Sequence, residues 1–162
     1  MKFYSLAGFS LAAFFFVALS CKKPKEPDPV VVPPVVCNTP NSTLVKNDTL
    51  LNIASDTAYA TLNNTFYTEH TISAAHGCSV EFEGTVLPAE GSYIITPVFN
   101  EVVPGSHKVY IQYYEAGNSY IGQSGTVSIT GSGTAAIIEF CKINFKDSFG
   151  NDKNLSLKTD SE

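Results

Sequence analysis

The sequence predicts an all-β domain: an antiparallel β-sandwich (Ig-like or related) or a small barrel of about eight strands. Three observations carry that expectation. From Cys37 onward, apolar residues recur at every second position in short runs, the period of a half-buried strand. Gly, Pro, Asn and Asp separate the runs, and these are the residues that turns require. Outside the first twenty residues, no stretch sustains the 3.6-residue period of an amphipathic helix.

The chain reads as three parts: a signal peptide (1–20), a lipidated cysteine with a proline-rich tether (21–36), and a β-domain (37–162). Lys2 precedes an apolar run (Leu6, Phe9, Leu11, Phe14, Phe15, Phe16, Val17, Leu19) that ends in Ala18-Leu19-Ser20-Cys21. The run is shorter than the about 20 apolar residues of a spanning helix and fits the apolar centre of an export signal. Small Ser20 leaves room for a peptidase, and the ending resembles a bacterial lipobox, with Ala18 where Leu is commonest. Cys21 is then the lipid-bearing first residue of the mature protein. The alternative is an ordinary secretory signal with an unmodified Cys.

Lys22 to Val36 holds Pro24, Pro27, Pro29, Pro33 and Pro34. Proline at this density removes backbone donors and favours an extended polyproline chain. At roughly 3.1 Å per residue it reaches on the order of 45 Å, enough to lift a domain off a membrane. Val30-Val31-Val32 and Val35-Val36 give the alternative of a first edge strand.

Charge narrows the partners. The ten basic residues are all Lys. Setting aside Lys2, Lys22, Lys23, Lys25, Glu26 and Asp28 leaves 6 lysines against 13 acidic residues in the domain, net −7. A domain without Arg and with this balance is a poor match for nucleic acid, where clustered cations meet phosphates. An anionic bilayer repels it too, so membrane contact falls to the lipid.

Strands follow in order. Thr49 to Ala54 alternates. Ala58 to Leu62 and Phe66 to Ile72 flank Asn63-Asn64-Thr65 as a hairpin. Cys78 to Leu87 sets Cys78, Val80, Phe82, Gly84 and Val86 on one face and Glu81 and Glu83 on the other. Tyr93 to Phe99 precedes the Val102-Val103-Pro104-Gly105 turn. Lys108 to Tyr114 leads through a Glu115–Asn118 loop towards Tyr120. Ser124 to Thr130 is followed by a turn at Gly131-Ser132-Gly133. Ala135 to Phe145 places Ile137, Cys141, Ile143 and Phe145 on one face, with Ile138, Phe140 and Lys142 opposite, and reads as a central strand. Asp147 to Asp152 is a loop and Asn154 to Lys158 the last strand.

Four segments together, Gly91-Ser92-Tyr93-Ile94-Ile95-Thr96, the Lys108-to-Tyr120 hairpin, Ser124-Gly125-Thr126-Val127-Ser128-Ile129-Thr130 and the Ile137–Phe145 strand, resemble the C-terminal β-domains of small uncharacterised Bacteroidota cell-envelope lipoproteins. The resemblance spans roughly the last 75 residues and rests on structural motifs. It implies a β-sandwich-like envelope lipoprotein, at the outer rather than the inner membrane, and no known activity. Surface-exported members carry acidic residues directly after the lipidated Cys; here Lys22 and Lys23 come first, and the leaflet stays unassigned.

With Cys21 lipidated, Cys37, Cys78 and Cys141 remain. Cys78 and Cys141 both read as core-facing, so a disulfide between them is the first expectation; Cys37 paired with either, or all three thiols free, are the alternatives. His76-Gly77-Cys78, with His70, His107, Cys37 and Cys141, offers metal-ligand types without the paired spacing of structural zinc. The Asp147–Asp152 loop lacks the alternating ligands of a calcium loop. No metal and no cofactor beyond the covalent lipid is expected.

Catalytic motifs are poor, and no enzyme is expected. Gly122-Gln123-Ser124-Gly125 is not a nucleophile elbow. Glu81 and Glu83, about 7 Å apart along a strand, give a glycoside-hydrolase alternative. Tyr110, Tyr114 and Tyr120, beside Asn118, form the candidate ligand-binding set, since aromatic rings with amide neighbours suit sugars or protein partners. Their other explanation is ordinary strand propensity. Thr49 in Asp48-Thr49-Leu50 and Thr57 in Asp56-Thr57-Ala58 are similar to Bacteroidota O-glycosylation sites. The expected function is a lipid-anchored, non-catalytic binding or structural β-domain, with a carbohydrate-binding module as the alternative.

Overall fold

Eleven strands and two single 3-10 turns make up the computed structural model, which describes residues 37–160. Cys21, the signal, the tether and the two valine runs lie outside the described residues. The strands are β1 (Thr43–Lys46), β2 (Thr49–Asn52), β3 (Ser55–Ala60), β4 (Thr65–Ser73), β5 (His76–Glu83), β6 (Gly91–Ile95), β7 (Lys108–Glu115), β8 (Asn118–Gly122), β9 (Thr126–Thr130), β10 (Ile137–Lys146) and β11 (Asp152–Asp160). The all-β expectation holds, with more and shorter strands than the sequence resolves.

Local chemistry explains the differences. β1 precedes the first strand read from sequence. Asn47 and Asp48 both take positive φ, the backbone of a two-residue hairpin turn, and set Lys46 opposite Thr49. β5 ends sooner than its alternation suggests. Gly84 sits at φ +85°, which breaks the pleat, and Val86, expected inside, is exposed.

The strands form one mixed sheet in the order β2-β1-β11-β10-β9-β6-β7-β5-β4-β3. Its pairings are antiparallel except for β6 with β7, where Ile94 and Ile95 lie beside Lys108 and Val109. β8 pairs with both β7 and β10. The path β10-β9-β6-β7-β8 therefore returns to β10 as a closed ring, which removes free edges as a barrel does. Beyond β10 extends a first wing, β11-β1-β2. Beyond β7 extends a second wing, β5-β4-β3.

Ring and wings enclose one core. Tyr113, Phe82, Phe140, Phe145, Leu44, Ile111, Leu155 and Leu157 are fully buried, each stabilising by about 1.5–3 kcal/mol. The rings pack edge to face or tilted, as in Phe82 on Tyr93 at 5.5 Å and Tyr113 on Phe145 at 6.5 Å, the geometry aromatic quadrupoles favour.

β10 corrects the sequence reading. Its pairing with β11 shifts between Phe140 and Ile143: Phe140 faces Leu157 and Ile143 faces Leu155, so β10 spends one extra residue there. This is a β-bulge. Lys142 takes φ 47°, and its N–H donates to the Ser156 hydroxyl at 2.8 Å. The bulge reverses the phase of the strand. Ile138 and Phe140 point into the core before it, and Ile143 and Phe145 after it. Apolar residues on both predicted faces mark a phase shift, not a strand buried on two sides.

The disulfide follows from the same bulge. Cys141 turns away from the core and bonds Cys37, with Cα atoms 5.7 Å apart, inside the range a disulfide needs. The expected Cys78–Cys141 bond is not formed. Cys78 is a free, fully buried thiol on the core face of β5, and burial pushes its pKa up.

Candidate functional site

The first described residue, Cys37, is fixed twice. Its thiol is bonded to Cys141, and its N–H donates to Glu139 Oε1 at 3.1 Å. Thr43 closes the segment locally by donating to the Pro40 carbonyl at 2.5 Å, and the Asn41 amide donates to Asp160 at 3.0 Å. Residues 37–42 thus form a strap bound to β10 and β11. A cleft of about 560 Å³ opens between the strap and the first wing, lined by Pro40, Val45, Leu50, Lys142, Asn154 and the disulfide among others. Cys37, Cys141 and the Glu139 carboxylate lie within 4.8 Å of one another, but the disulfide consumes both thiols as metal ligands.

The outer face of the second wing and adjoining β7 carries two of the four predicted binding residues, Tyr110 and Tyr114. Strand register sets its side chains in rows: Tyr59, Tyr67, Glu81 and Tyr110 in one, and Glu69, Ser79 and Gln112 in the next. Tyr59 and Tyr67 pack at 5.0 Å, and Phe99 meets the edge of Tyr110 at 5.6 Å. Tyr114 lies over Gly77, its cross-strand partner; a Cβ at Gly77 would run into the Tyr114 ring. That absence of side chain lets the Tyr114 hydroxyl cross the sheet and donate to Glu69 at 2.8 Å. Burial, helped by the Glu69 charge and opposed by a hydrogen bond to Ser79, raises the Tyr67 pKa to about 12. Burial raises the Tyr110 and Tyr114 hydroxyls as well, so these three phenols stay neutral at physiological pH.

Tyr110 and Tyr114 therefore share an open face, as expected. Tyr120 does not join them. It is buried opposite Tyr113 with ring centroids 6.0 Å apart, and Lys153 Nζ sits 4.8 Å from its ring centroid. Even and odd positions of β8 face opposite ways, and the Tyr113 pairing fixes Tyr120 inward. Tyr93 is buried as well and donates to the Ala89 carbonyl at 2.7 Å.

Glu81 and Glu83 share that outer face. Glu81 accepts from the Thr65 hydroxyl, and Glu83 accepts from Ser106 N–H at 2.8 Å. The two carboxylates point the same way from one strand instead of facing each other across a substrate, the arrangement paired-carboxylate glycoside chemistry requires. Thr49 and Thr57 are both exposed, on β2 and β3, the two ends of the sheet. The Asp56 of the second motif, however, is engaged in the fold.

Asp56 belongs to a polar cluster that sequence reasoning missed. Its carboxylate accepts from His70 Nδ1 at 2.6 Å and from the Thr159 hydroxyl at 3.0 Å. His70 Nε2 lies 3.2 Å from Thr68 Oγ1. Thr68, His70 and Thr159 are buried. The cluster joins β3 and β4 to β11 and so ties the second wing to the first. A second cluster centres on Glu115, which meets Lys46 at 2.5 Å, Lys153 at 2.7 Å and His76 at 3.6 Å; His76 Nε2 also meets the Tyr113 hydroxyl. Partial burial raises the Glu115 pKa, but hydrogen bonds and charge from Lys153 and Lys46 outweigh it and hold the carboxyl at about 2. Burial lowers the His76 pKa against the pull of Glu115. The signal for both clusters is a polar residue at an inward position of an alternating strand, such as His70 or Lys153.

Asn118 stands apart from the tyrosine face. It sits at the tip of the β7–β8 hairpin, on the rim of a second cleft of about 570 Å³ whose far wall includes Lys146, Asp147, Ser148 and Phe149 from the β10–β11 loop. The Asp147 carboxylate accepts from Phe149 N–H at 2.9 Å, Asn151 N–H at 2.8 Å and the Asn151 amide at 2.7 Å. The expected polar turn is thus closed on itself.

No protein-family model, no curated protein and no solved structure matches the chain. Its functional reading rests on its own geometry.

Proposed function

We propose that this protein is an envelope lipoprotein, anchored by lipid on Cys21 at the outer rather than the inner membrane, whose β-domain is a non-catalytic module for binding or structural interaction. The observation that carries the reading is the junction between tether and domain. Directly after the proline-rich segment, Cys37 is cross-linked to Cys141 across 104 residues, and its N–H is held by Glu139. A pull entering at residue 37 is passed to β10, a strand with three partners, and does not peel the domain from its end. Two or three acyl chains on Cys21 would hold it stably, whereas a single chain binds only marginally.

The open face of the second wing supports the binding half of the reading. It displays Tyr59, Tyr67, Tyr110 and Tyr114, aromatic surface of the kind that anchors interfaces. Carbohydrate recognition is the second reading, favoured by aromatic rings beside carboxylate and amide acceptors. The anchor is tested by palmitate labelling and membrane fractionation with and without globomycin. Labelled protein in the membrane fraction, lost on Cys21→Ala, is the expected result. A Cys21→Ala variant that still takes up palmitate and stays membrane-bound would overturn it.

A further inference from the structure

Phe149 is 85% exposed at the tip of the β10–β11 loop. Exposing a whole phenyl ring forgoes the favourable free energy of its burial. A loose loop could fold such a ring down, but this loop is held in place. Asp147 binds the Phe149 and Asn151 N–H groups and the Asn151 amide, and Gly150 N–H returns to the Asp147 carbonyl at 3.2 Å. The backbone that carries the ring is thus held in place beside a cleft of about 570 Å³, within the roughly 300–1,000 Å³ typical of small-molecule sites. Preorganisation of this kind lowers the entropy lost on binding.

The lining sets the ligand class. Charges there are already matched: Lys146 is 3.8 Å from Asp152, and the Asp147 carboxylate is filled by its own loop. Uncharged groups remain for a ligand. The Asn118 amide and Ser148 hydroxyl have no protein partner among the described residues. Gln123 donates through its amide nitrogen to the Ile121 carbonyl at 2.8 Å, which leaves its carbonyl oxygen as an acceptor. Flat apolar surface comes from Phe149, Pro97 and Ile121. An uncharged ring with an apolar C–H face and a rim of hydroxyls matches both halves of this lining. A cation or a phosphate would find no free charge to meet.

We propose that the cleft between the β7–β8 hairpin and the β10–β11 loop is a binding site for a neutral pyranose of a glycan, with Phe149 as the stacking platform and Asn118, Gln123 and Ser148 as hydrogen-bonding groups. The proposal rests on the binding-module reading above and moves its sugar site from the tyrosine face to the loops.

The test uses the full chain, purified from membranes in detergent, titrated with cellohexaose, xylohexaose, mannohexaose, maltohexaose and chitohexaose. At least one binds, with affinity reduced tenfold or more in Phe149→Ala, retained in Phe149→Tyr, and reduced about threefold in Asn118→Ala. Phe149 supports no core, so the melting temperature of Phe149→Ala matches the parent and a folding defect is separated from a binding one. No binding by any of the five hexasaccharides overturns the proposal. So does binding that Phe149→Ala leaves unchanged; if Tyr110→Ala or Tyr114→Ala abolishes that binding, the sugar sits on the sheet face and only the location fails. Palmitate labelling reads the anchor separately, so loss of the glycan site leaves the lipoprotein reading standing.

Discussion

The two wings of the sheet put their outer faces to different uses. On the first wing, the Cys37–Asn41 strap crosses the surface and is stapled to the β10 bulge. On the second, no strap intervenes among the described residues, and tyrosines and carboxylates meet solvent. Charge differs as well: β3, β4 and β5 carry Asp56, Glu69, Glu81 and Glu83 and no lysine, whereas on β1 and β11 Lys46, Lys153 and Lys158 stand beside Asp152 and Asp160. One side carries the strap, and the other leaves its tyrosines uncovered among the described residues. Two polar clasps of unequal burial reinforce the sheet: Asp56–His70–Thr159, largely buried, joins the two wings, and Glu115–Lys46–Lys153, nearer the surface, joins β7 to the first wing. The lesson is that buried and half-exposed polar contacts of similar length carry different energies, because water can replace the second kind.

Breaking the staple on the first wing gives the largest expected effect. The disulfide closes a loop of 104 residues, for which chain-entropy arguments give about 4.7 kcal/mol, while measured values centre on about 2–4. The double variant Cys37→Ser with Cys141→Ser, or reduction by dithiothreitol, lowers the urea midpoint accordingly. An unchanged midpoint would reduce the strap to a passive tail.

Next is the buried clasp. Asp56→Ala removes the acceptor of His70 Nδ1 and of the Thr159 hydroxyl, both inside the protein, and unsatisfied buried groups cost about 1–3 kcal/mol each. The expected loss is on the order of 3 kcal/mol, read from chemical denaturation. A loss below that of the surface clasp would reverse the ranking of the two.

The surface clasp is smaller and titrates. With its folded pKa held at about 2, Glu115 stabilises the fold fully above its unfolded value, and the contribution drains away as pH falls from about 4.5 to 2. His76, lowered by burial, is charged more readily unfolded than folded, so its contribution also fades as pH falls, beginning below about 6.5. Glu115→Gln costs about 1–2 kcal/mol at pH 7 and flattens the stability profile between pH 4.5 and 2. A profile as steep as the parent's would remove Glu115 from the account.

The smallest effect belongs to the open face. Tyr114→Phe deletes one hydrogen bond to Glu69, worth about 1 kcal/mol or less, and leaves the ring over Gly77. By contrast, Gly77→Ala drives a Cβ into that ring and costs about 1–3 kcal/mol as overpacking. The pair of midpoints separates the ring from its hydroxyl.

Much of this architecture is legible in the residues themselves. The Cys78–Val80–Phe82 and Val109–Ile111–Tyr113 alternations give both strands and both faces correctly. Tyr110 and Tyr114, two turns of the pleat apart, fall on one surface as counted. Other features needed a partner strand. Tyr120 follows a hairpin whose register decides its face, and pairing with Tyr113 buries it. The Asn118 loop reads as part of the tyrosine set in sequence, yet it opens on a different cleft. Phe149, in a turn that reads as merely polar, gives no period to count.

The sequence by itself determined the strand character of the domain, because a two-residue period and turn-forming residues are local properties. Pairing decided the rest. One extra residue at Cys141-Lys142 reverses inside and outside for half of β10 and sends Cys141 to Cys37 instead of Cys78. β8 closes the ring by touching β7 and β10, whose contacts with it lie far apart in the chain. A bulge is a mismatch between two strands, and a closed ring is a relation among five. Neither exists until the partners meet, so no single stretch of sequence carries its signal.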